Sequence, residues 1–479
     1  MSVACPEDFH PVGEPEQAIP LFAQQTVHEQ ATTMGSTKIP ELTQRDLTIP
    51  RLGTSRIQSP LSLSNTKGDG RGDFVPANSR IRYQIDTLPG ADHQDLVLEQ
   101  AGPREQIFFH PENTTAAIVT CGGLCPGLNN VVRSIFYELK HNYRVPRILG
   151  IQNGHAGLNP AQGRPPLQLT DEDVVEIHKL GGVILGTSRG PQDAEVAVKF
   201  LHRENIDILF CVGGDGTLRG AHAISQEIAR QGLKISVAGV PKTIDNDIPF
   251  VYRTFGFSTA LEEAQQALRC AHAEANSTVN GVGLVKLMGR HAGFITAYAA
   301  LANQDANFVL VPEIDFPLGG PGGLLVSLQQ RLERRNHAVI AVAEGAGQHL
   351  FDSDHDHLNA SGNPKFHDIG PFLKLQIERH FHEQGIPISV KYIDPSYLIR
   401  SVPANTQDRL LSNQMARLAV HAAMSGNTDV LIGHWNNRFV HVPIGTAVRT
   451  NKCMEVEGDL WTSILLSTGQ PRWPATLQS

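Results

Sequence analysis

Two carboxylates separated by a single residue, Asp245 and Asp247, follow a lysine and a threonine in the stretch Pro241-Lys242-Thr243-Ile244-Asp245-Asn246-Asp247. A hydroxyl is a poor nucleophile until a base takes its proton, and a carboxylate within hydrogen-bond reach is enough for that in phosphoryl transfer. Asp245 is the candidate base. Asp247 would hold its geometry or a metal, while Lys242 and Thr243 would stabilise charge on the migrating group. The alternative for the pair is a turn cap.

Upstream lies a second turn rich in glycine and aspartate, Cys211-Val212-Gly213-Gly214-Asp215-Gly216-Thr217. Its glycines allow a sharp turn and a close backbone approach to a ligand, so main-chain N–H groups and the N-terminus of a following helix face phosphate. Asp215 supplies the hard oxygen that a phosphate-bound Mg2+ prefers. Gly214, Asp215, Gly216 and Thr217 are therefore the candidate cradle for a Mg-nucleotide, with Asp215 as the metal ligand.

Each turn follows a short apolar run, Ile206 to Val212 and Ile235 to Val240, which read as buried strands, with a helix from Leu218 onward. The same order recurs at Ala116 to Thr120, where a glycine turn at 122 to 127 precedes a helix from Asn129. Ile148 to Ile151, Gly281 to Leu287, Phe308 to Pro312 and Ala338 to Ala343 repeat the strand signal. Thr170 caps a helix with an acidic first turn, and Thr259 with Glu262 reads as a capping box. Apolar strands alternating with helical patterns across 116 to 345 predict an α/β fold with mainly parallel sheets and ligands at the strand C-terminal ends.

A chain of 479 residues with 41% hydrophobic content buries a large core, and a net charge of −8 gives no reason to expect nucleic acid or an anionic membrane as partner. No apolar run approaches the roughly 20 residues of a membrane helix. Six cysteines without framework spacing favour a reducing compartment, and the acidic first residues lack a secretory signal, so a cytoplasmic address is expected. Cys121 and Cys125 lack the second ligand pair of a zinc site. The run Asp352 to His357 has no apolar flanks to fix a metal and reads as a solvated loop.

Together the GGDGT and TIDND strings resemble the 6-phosphofructokinase family, most closely the long ATP-dependent form of plants and trypanosomatids. Matching stretches include Gly122-Gly123-Leu124-Cys125-Pro126-Gly127-Leu128-Asn129, Gly186-Thr187-Ser188-Arg189-Gly190, Lys286-Leu287-Met288-Gly289-Arg290 and Ala343-Glu344-Gly345. The resemblance spans roughly residues 100 to 450 and implies two Rossmann-like lobes facing across a cleft. Residues 96–250 would bind the phosphate donor and 251–450 the sugar phosphate, with the chain crossing back between lobes. A loosely ordered N-terminal extension (1–95), anchored at Phe74-Val75-Pro76 and Ile81-Arg82-Tyr83, and an exposed tail (451–479) complete the expected organisation.

The resemblance further implies an enzyme transferring the γ-phosphoryl of MgATP to fructose 6-phosphate, as a homo-oligomer, dimer or tetramer. Gly123 joins the donor site. Arg189, which composition alone reads as a surface arginine, would bridge donor and transferred group with its guanidinium fork. Met288, Gly289, Arg290 and Glu344 would line the sugar site, and Lys391, Tyr397 and Arg400 would hold the 6-phosphate, together with Thr243 and Asp245 at the reacting end. Gly216 is the ATP-type residue, because a side chain there would collide with the α-phosphate of a nucleotide. Lys242 is typical of pyrophosphate users, and the combination is that of the plant and trypanosomatid ATP enzymes. His155 stands where the family has an adenine-contacting tyrosine, and the Asn280-Gly281 region lacks the arginine that short members lend across a subunit interface. A pyrophosphate-dependent enzyme and a catalytically silent, sugar-phosphate-sensing subunit are the alternatives. Retention of Asp215, Gly216, Asp245 and Asp247 weighs against the silent one.

Overall fold

The computed structural model describes residues 42–86, 95–351 and 366–474. The chain divides into two compact units, residues 1–36 and 37–479, and all described residues belong to the second. The stretch Asp352 to His357, read above as a solvated loop, lies outside the described residues.

Fifteen strands are described: β1 (Ile57–Gln58), β2 (Arg80–Arg82), β3 (Val97–Gln100), β4 (Gln106–Ile107), β5 (Thr115–Thr120), β6 (Arg147–Ile151), β7 (Leu167–Gln168), β8 (Ile208–Gly213), β9 (Ser236–Pro241), β10 (Gly281–Leu287), β11 (Phe308–Leu310), β12 (His337–Ala343), β13 (Ser389–Ile393), β14 (Val430–Trp435) and β15 (Arg438–Pro443). Nine form one sheet in the order β2-β3-β15-β14-β9-β8-β5-β6-β7, and four form a second in the order β11-β12-β10-β13. The centre of the large sheet, β14 to β6, is parallel, and every pair of the small sheet is parallel. Strands β5, β8 and β9 are buried at all six positions, as parallel strands covered on both faces must be. Each fully buried Ile, Val or Leu there contributes about 1.5–3 kcal/mol.

The chain leaves β5 toward β6 on one side and then returns to place β8 on the other. At such a reversal the loops after neighbouring strands part and leave a crevice. The turn at 122 to 127 follows β5, the turn at 214 to 217 follows β8, and the Lys242 to Asp247 stretch follows β9 next door. In the small sheet β10 has β12 on one side and β13 on the other, so a second crevice opens beside Met288-Gly289-Arg290 and Glu344-Gly345.

Three local expectations are corrected. Residues 42–86 are not loose: β2 extends the large sheet, Leu47 and Phe74 are buried, and Tyr83 stacks on Trp435 at 5.1 Å while its carbonyl accepts from the indole N–H. Residues 452–474 are not an exposed tail. A helix, Asp459–Thr468, buries Trp461 and Ile464, and the Gln470 side-chain amide pairs with both backbone groups of Val309. Thr259 and Glu262 make no capping box, because their helix starts earlier, at Phe257 behind Gly256 (φ 90°). Thr259 instead donates through N–H and hydroxyl to Asp408, and Glu262 accepts from Asn405. The box at Thr170 and Asp173 does form.

Candidate active site

The crevice after β5, β8 and β9 is built on absent side chains. A Cβ on Gly213 would lie 2.2 Å from Thr217 Oγ1, and one on Gly214 3.2 Å from the Lys242 carbonyl. Asp215 opens the helix Asp215–Arg230, one turn earlier than the sequence suggests, so its carboxylate sits at the positive end of the helix dipole. Arg219 Nε donates to it at 2.9 Å. A Cβ on Gly216 meets nothing within 4 Å, and its φ lies outside the left-handed region. A side chain at this position would meet open space.

Lys242 is buried and its ammonium donates to the Gly123 carbonyl at 2.7 Å. Burial lowers its pKa, against the pull of Asp247 and Asp245. A Cβ on Gly123 would lie 3.5 Å from Arg189 Nη2 and 3.7 Å from Arg400 Nη1. One glycine therefore gathers three cations. Arg189 is delivered there because the Gly122 N–H donates to the Ser188 carbonyl and the Thr120 hydroxyl donates to the Gly186 carbonyl.

Asp245 receives no side-chain partner at Oδ1, although that oxygen is buried. Burial raises its pKa well above the carboxylate range, and the Asp247 and Glu344 charges add to the effect. Burial likewise raises Asp247, partly offset by the Thr243 hydroxyl, with Asp215 pushing further up. The loop geometry comes from Asn246, whose φ of 57° turns the chain between the two aspartates. Its side chain accepts from the Thr254 N–H at 3.0 Å and donates to the Tyr252 carbonyl at 3.1 Å, while the Thr254 hydroxyl donates to the Thr243 carbonyl at 2.7 Å. Asn246, a mere spacer between carboxylates in the sequence, therefore holds the loop's shape.

On the sugar side, the Glu344 and Gly345 N–H groups donate to the Leu287 and Gly289 carbonyls, which seats the two loops against each other. Gly289 has φ 129°. Arg290 stacks over Phe366 at 4.3 Å. Burial raises the pKa of Glu344, while Lys286, Arg290 and Arg400 draw it down. Through Arg290 and Glu344 the charges of the two crevices act on one another, since both also act on Asp245.

Contacts and charge interactions link Gly123, Arg189, Asp215, Lys242, Asp245, Asp247, Arg290, Glu344 and Arg400, whereas Lys391 stands apart and Tyr397 meets the group only through Arg400. Lys391 is exposed, and the register places it opposite Gly283, four positions before Leu287 at the strand end. Tyr397 is 75% exposed and lies under Arg400, 4.7 Å from its guanidinium. The cation that does reach Glu344 from the small sheet is Lys286, which bridges Asp368 and Asp394 at 2.9 Å each. Lys452, from the segment read as tail, is a further missed residue: its N–H donates to the Asp247 carbonyl at 2.8 Å. His155 is buried against Gly220, with Nε2 unpartnered and its pKa pushed down to about 4 by burial, so it is neutral. Among the described residues no group of three His, Cys, Asp or Glu is arranged to hold a metal alone, and no helix is long and apolar enough to cross a membrane.

The phosphofructokinase family model matches residues 115–423. An ATP-dependent 6-phosphofructokinase of Borreliella burgdorferi is 45% identical over 434 residues, covering 89% of this chain and 97% of that protein. The ATP-dependent 6-phosphofructokinase of Trypanosoma brucei brucei is 43% identical over 88% of this chain and 87% of its own length, and ATP-dependent 6-phosphofructokinase 7 of Arabidopsis thaliana is 44% identical over 78% and 76%. Among solved structures, the pyrophosphate-dependent phosphofructokinase of Nitrosospira multiformis superposes with a TM-score of 0.61 at 19% identity, over 77% of this chain and 94% of that one. The Pichia pastoris phosphofructokinase in the T-state gives 0.58 at 23% identity, over 70% of this chain and 35% of that longer one. The sheets, the glycine cradle and the paired aspartates thus sit in a chain that belongs to the phosphofructokinase family.

Proposed function

We propose that the protein is an ATP-dependent 6-phosphofructokinase, transferring the γ-phosphoryl of MgATP to the 1-hydroxyl of fructose 6-phosphate to give fructose 1,6-bisphosphate and ADP. The observation that carries the mechanism is the buried, unpartnered Oδ1 of Asp245, close in charge to Asp247, Glu344, Lys242 and Arg290. The carboxylate takes the hydroxyl proton as the sugar oxygen bonds to the γ-phosphorus and the bridging oxygen leaves with ADP. Lys242, Arg189 and the main chain at Gly123 neutralise charge on the three peripheral oxygens. Arg290, Glu344 and Arg400 orient the sugar phosphate, with Met288 and Gly289 shaping the wall.

Mg2+ fits the donor side: Asp215 and Asp247 offer hard oxygens near enough to feel each other, and phosphate oxygens complete a set that protein groups alone do not. When bound it neutralises the β- and γ-phosphates. The open volume at Gly216 supports ATP over pyrophosphate. A cytosolic enzyme is the proposed setting. A homo-oligomer is the proposed assembly, in which a second copy would cover Tyr397 and Leu398, both largely exposed beside Arg400.

A coupled assay of fructose 6-phosphate with MgATP, and separately with magnesium pyrophosphate, tests this reading. Turnover is expected with ATP only; turnover with pyrophosphate only overturns the donor assignment, and none with either overturns the enzyme.

A further inference from the structure

Lys452 lies between two short helices, Ile444–Ala447 and Asp459–Thr468, far in sequence from the catalytic loop. Besides the bond from its N–H to the Asp247 carbonyl, its ammonium donates to the Val251 carbonyl at 2.7 Å and the Tyr252 carbonyl at 3.3 Å. The Tyr252 carbonyl is the one that Asn246 also holds. Lys452 therefore grips both arms of the loop that carries Asp245 and Asp247.

The next two residues reach the other crevice. Cys453 Sγ lies 3.4 Å from the His291 carbonyl, and the Met454 N–H donates to Glu313 Oε1 at 2.9 Å. The buried Glu313 carboxylate also accepts the Gly293 N–H through both oxygens, at 2.9 and 3.1 Å. Gly293 caps the helix that follows Met288-Gly289-Arg290, and its first residue, Phe294, presents its ring 5.2 Å from the Lys452 ammonium. Three consecutive residues thus join the Asp247 loop to the Arg290 loop by backbone and side-chain contacts, of which that of Met454 to Glu313 is buried.

We propose that Lys452 is a positioning residue for phosphoryl transfer: with Cys453 and Met454 it forms a strut that fixes the Asp247 loop relative to the sugar-phosphate loop. It acts through Asp247 and the carbonyls of Val251 and Tyr252. Alignment of an attacking oxygen with phosphorus is sensitive to small displacements, since about 1 Å of misplacement costs on the order of a hundredfold in rate. Loss of the ammonium lets the loop drift while both substrates keep their own contacts. This rests on reading Asp245 and Asp247 as the reacting loop.

Lys452→Met keeps the backbone N–H and the aliphatic stem. Its kcat is expected to fall by about tenfold or more, with KM for MgATP and for fructose 6-phosphate each within about twofold. Lys452→Arg, which keeps a cationic donor, should recover part of the rate, and amide hydrogen exchange over 247–255 in ligand-free Lys452→Met should quicken. Unchanged kcat with unchanged exchange overturns the proposal, as does a rise confined to KM. Should Lys452→Met not fold, Lys452→Gln is read the same way; if both fail to fold while Lys452→Arg folds, Lys452 serves stability alone and the proposal falls. Asp245→Asn measured in parallel separates the two readings. A fall in kcat there with none in Lys452→Met removes only the strut, whereas intact kcat in Asp245→Asn removes the loop's role and the strut's with it.

Discussion

The Lys242 ammonium donates to the Gly123 carbonyl at 2.7 Å, so a cation from the loop after one strand is clamped to the glycine turn after another. Both strands flank β8, whose own turn holds Asp215. The crevice proposed for the phosphate donor is therefore braced by the protein's own groups, and preorganised charge of this kind costs no rearrangement during reaction.

Gly216→Asp should fold, because the position has open space and an ordinary φ. Its added carboxylate faces the nucleotide phosphates, and like-charge juxtaposition costs several kcal/mol, so kcat/KM for ATP is expected to drop by at least about two orders of magnitude. Unaltered ATP kinetics in the folded variant would remove Gly216 from the donor site.

Arg400→Ala should raise KM for fructose 6-phosphate by about ten- to a hundredfold while leaving KM for ATP nearly unmoved, since a charge-assisted hydrogen bond is worth about 1.5–3 kcal/mol. Lys391→Ala should shift it less than about fivefold, the scale of an exposed charge. Equal effects at the two positions would show that Lys391 swings onto the substrate.

Asp245→Asn is expected to lower kcat by about two to four orders of magnitude with little change in either KM. The amide accepts a hydrogen bond from the sugar hydroxyl but cannot take its proton. In the native enzyme the acid limb of kcat should lie above the ordinary carboxylate range, because burial and the neighbouring charges raise Asp245. A loss confined to KM would move the base to Asp247 or to a bound water.

The same substitution has an opposite effect on stability. A carboxyl whose pKa is raised on folding contributes its full stability below its unfolded value, near 3.8, and loses it as pH rises through the folded value. Asp245→Asn escapes that loss. Its Tm should match the native protein's in acid and exceed it at neutral pH; a lower Tm at neutral pH would show that the ionised carboxylate is stabilised in the fold.

Asn246→Ala removes the side chain's three hydrogen bonds to Tyr252 and Thr254 and leaves alanine at φ 57°, at a combined cost of about 2–4 kcal/mol. Denaturant unfolding would register that cost. Turnover should fall with KM for ATP largely kept, because the cradle after β8 is untouched.

Much of the fold was legible because buried parallel strands announce themselves as short apolar runs ended by glycine, as at Thr115–Thr120 and Gly281–Leu287. The residues proposed to react were legible too, since Lys242, Asp245 and Asp247 lie within six positions. What escaped depends on distant partners. Lys286 looks like one more strand residue until Asp368 and Asp394 meet it from 82 and 108 positions away. Lys391 looked like a phosphate ligand, and only its register opposite Gly283 shows it standing back from the strand end. The helix Asp459–Thr468 carries an amphipathic signal too short to outweigh its polar surroundings, and its burial comes from the surface that Trp461 and Ile464 find.

The strands of the two sheets are completed at different points along the chain. All four strands of the small sheet lie within residues 281–393, so it is complete once that span has emerged. The large sheet needs β14 and β15, at 430–443, to link β9 with β3. Domains synthesised first ordinarily fold first. Here the large sheet, begun earlier, is completed later, so β9 is expected to keep an unpaired edge until the last tenth of the chain arrives, and that interval is the one in which a chaperone would have a strand edge to shield.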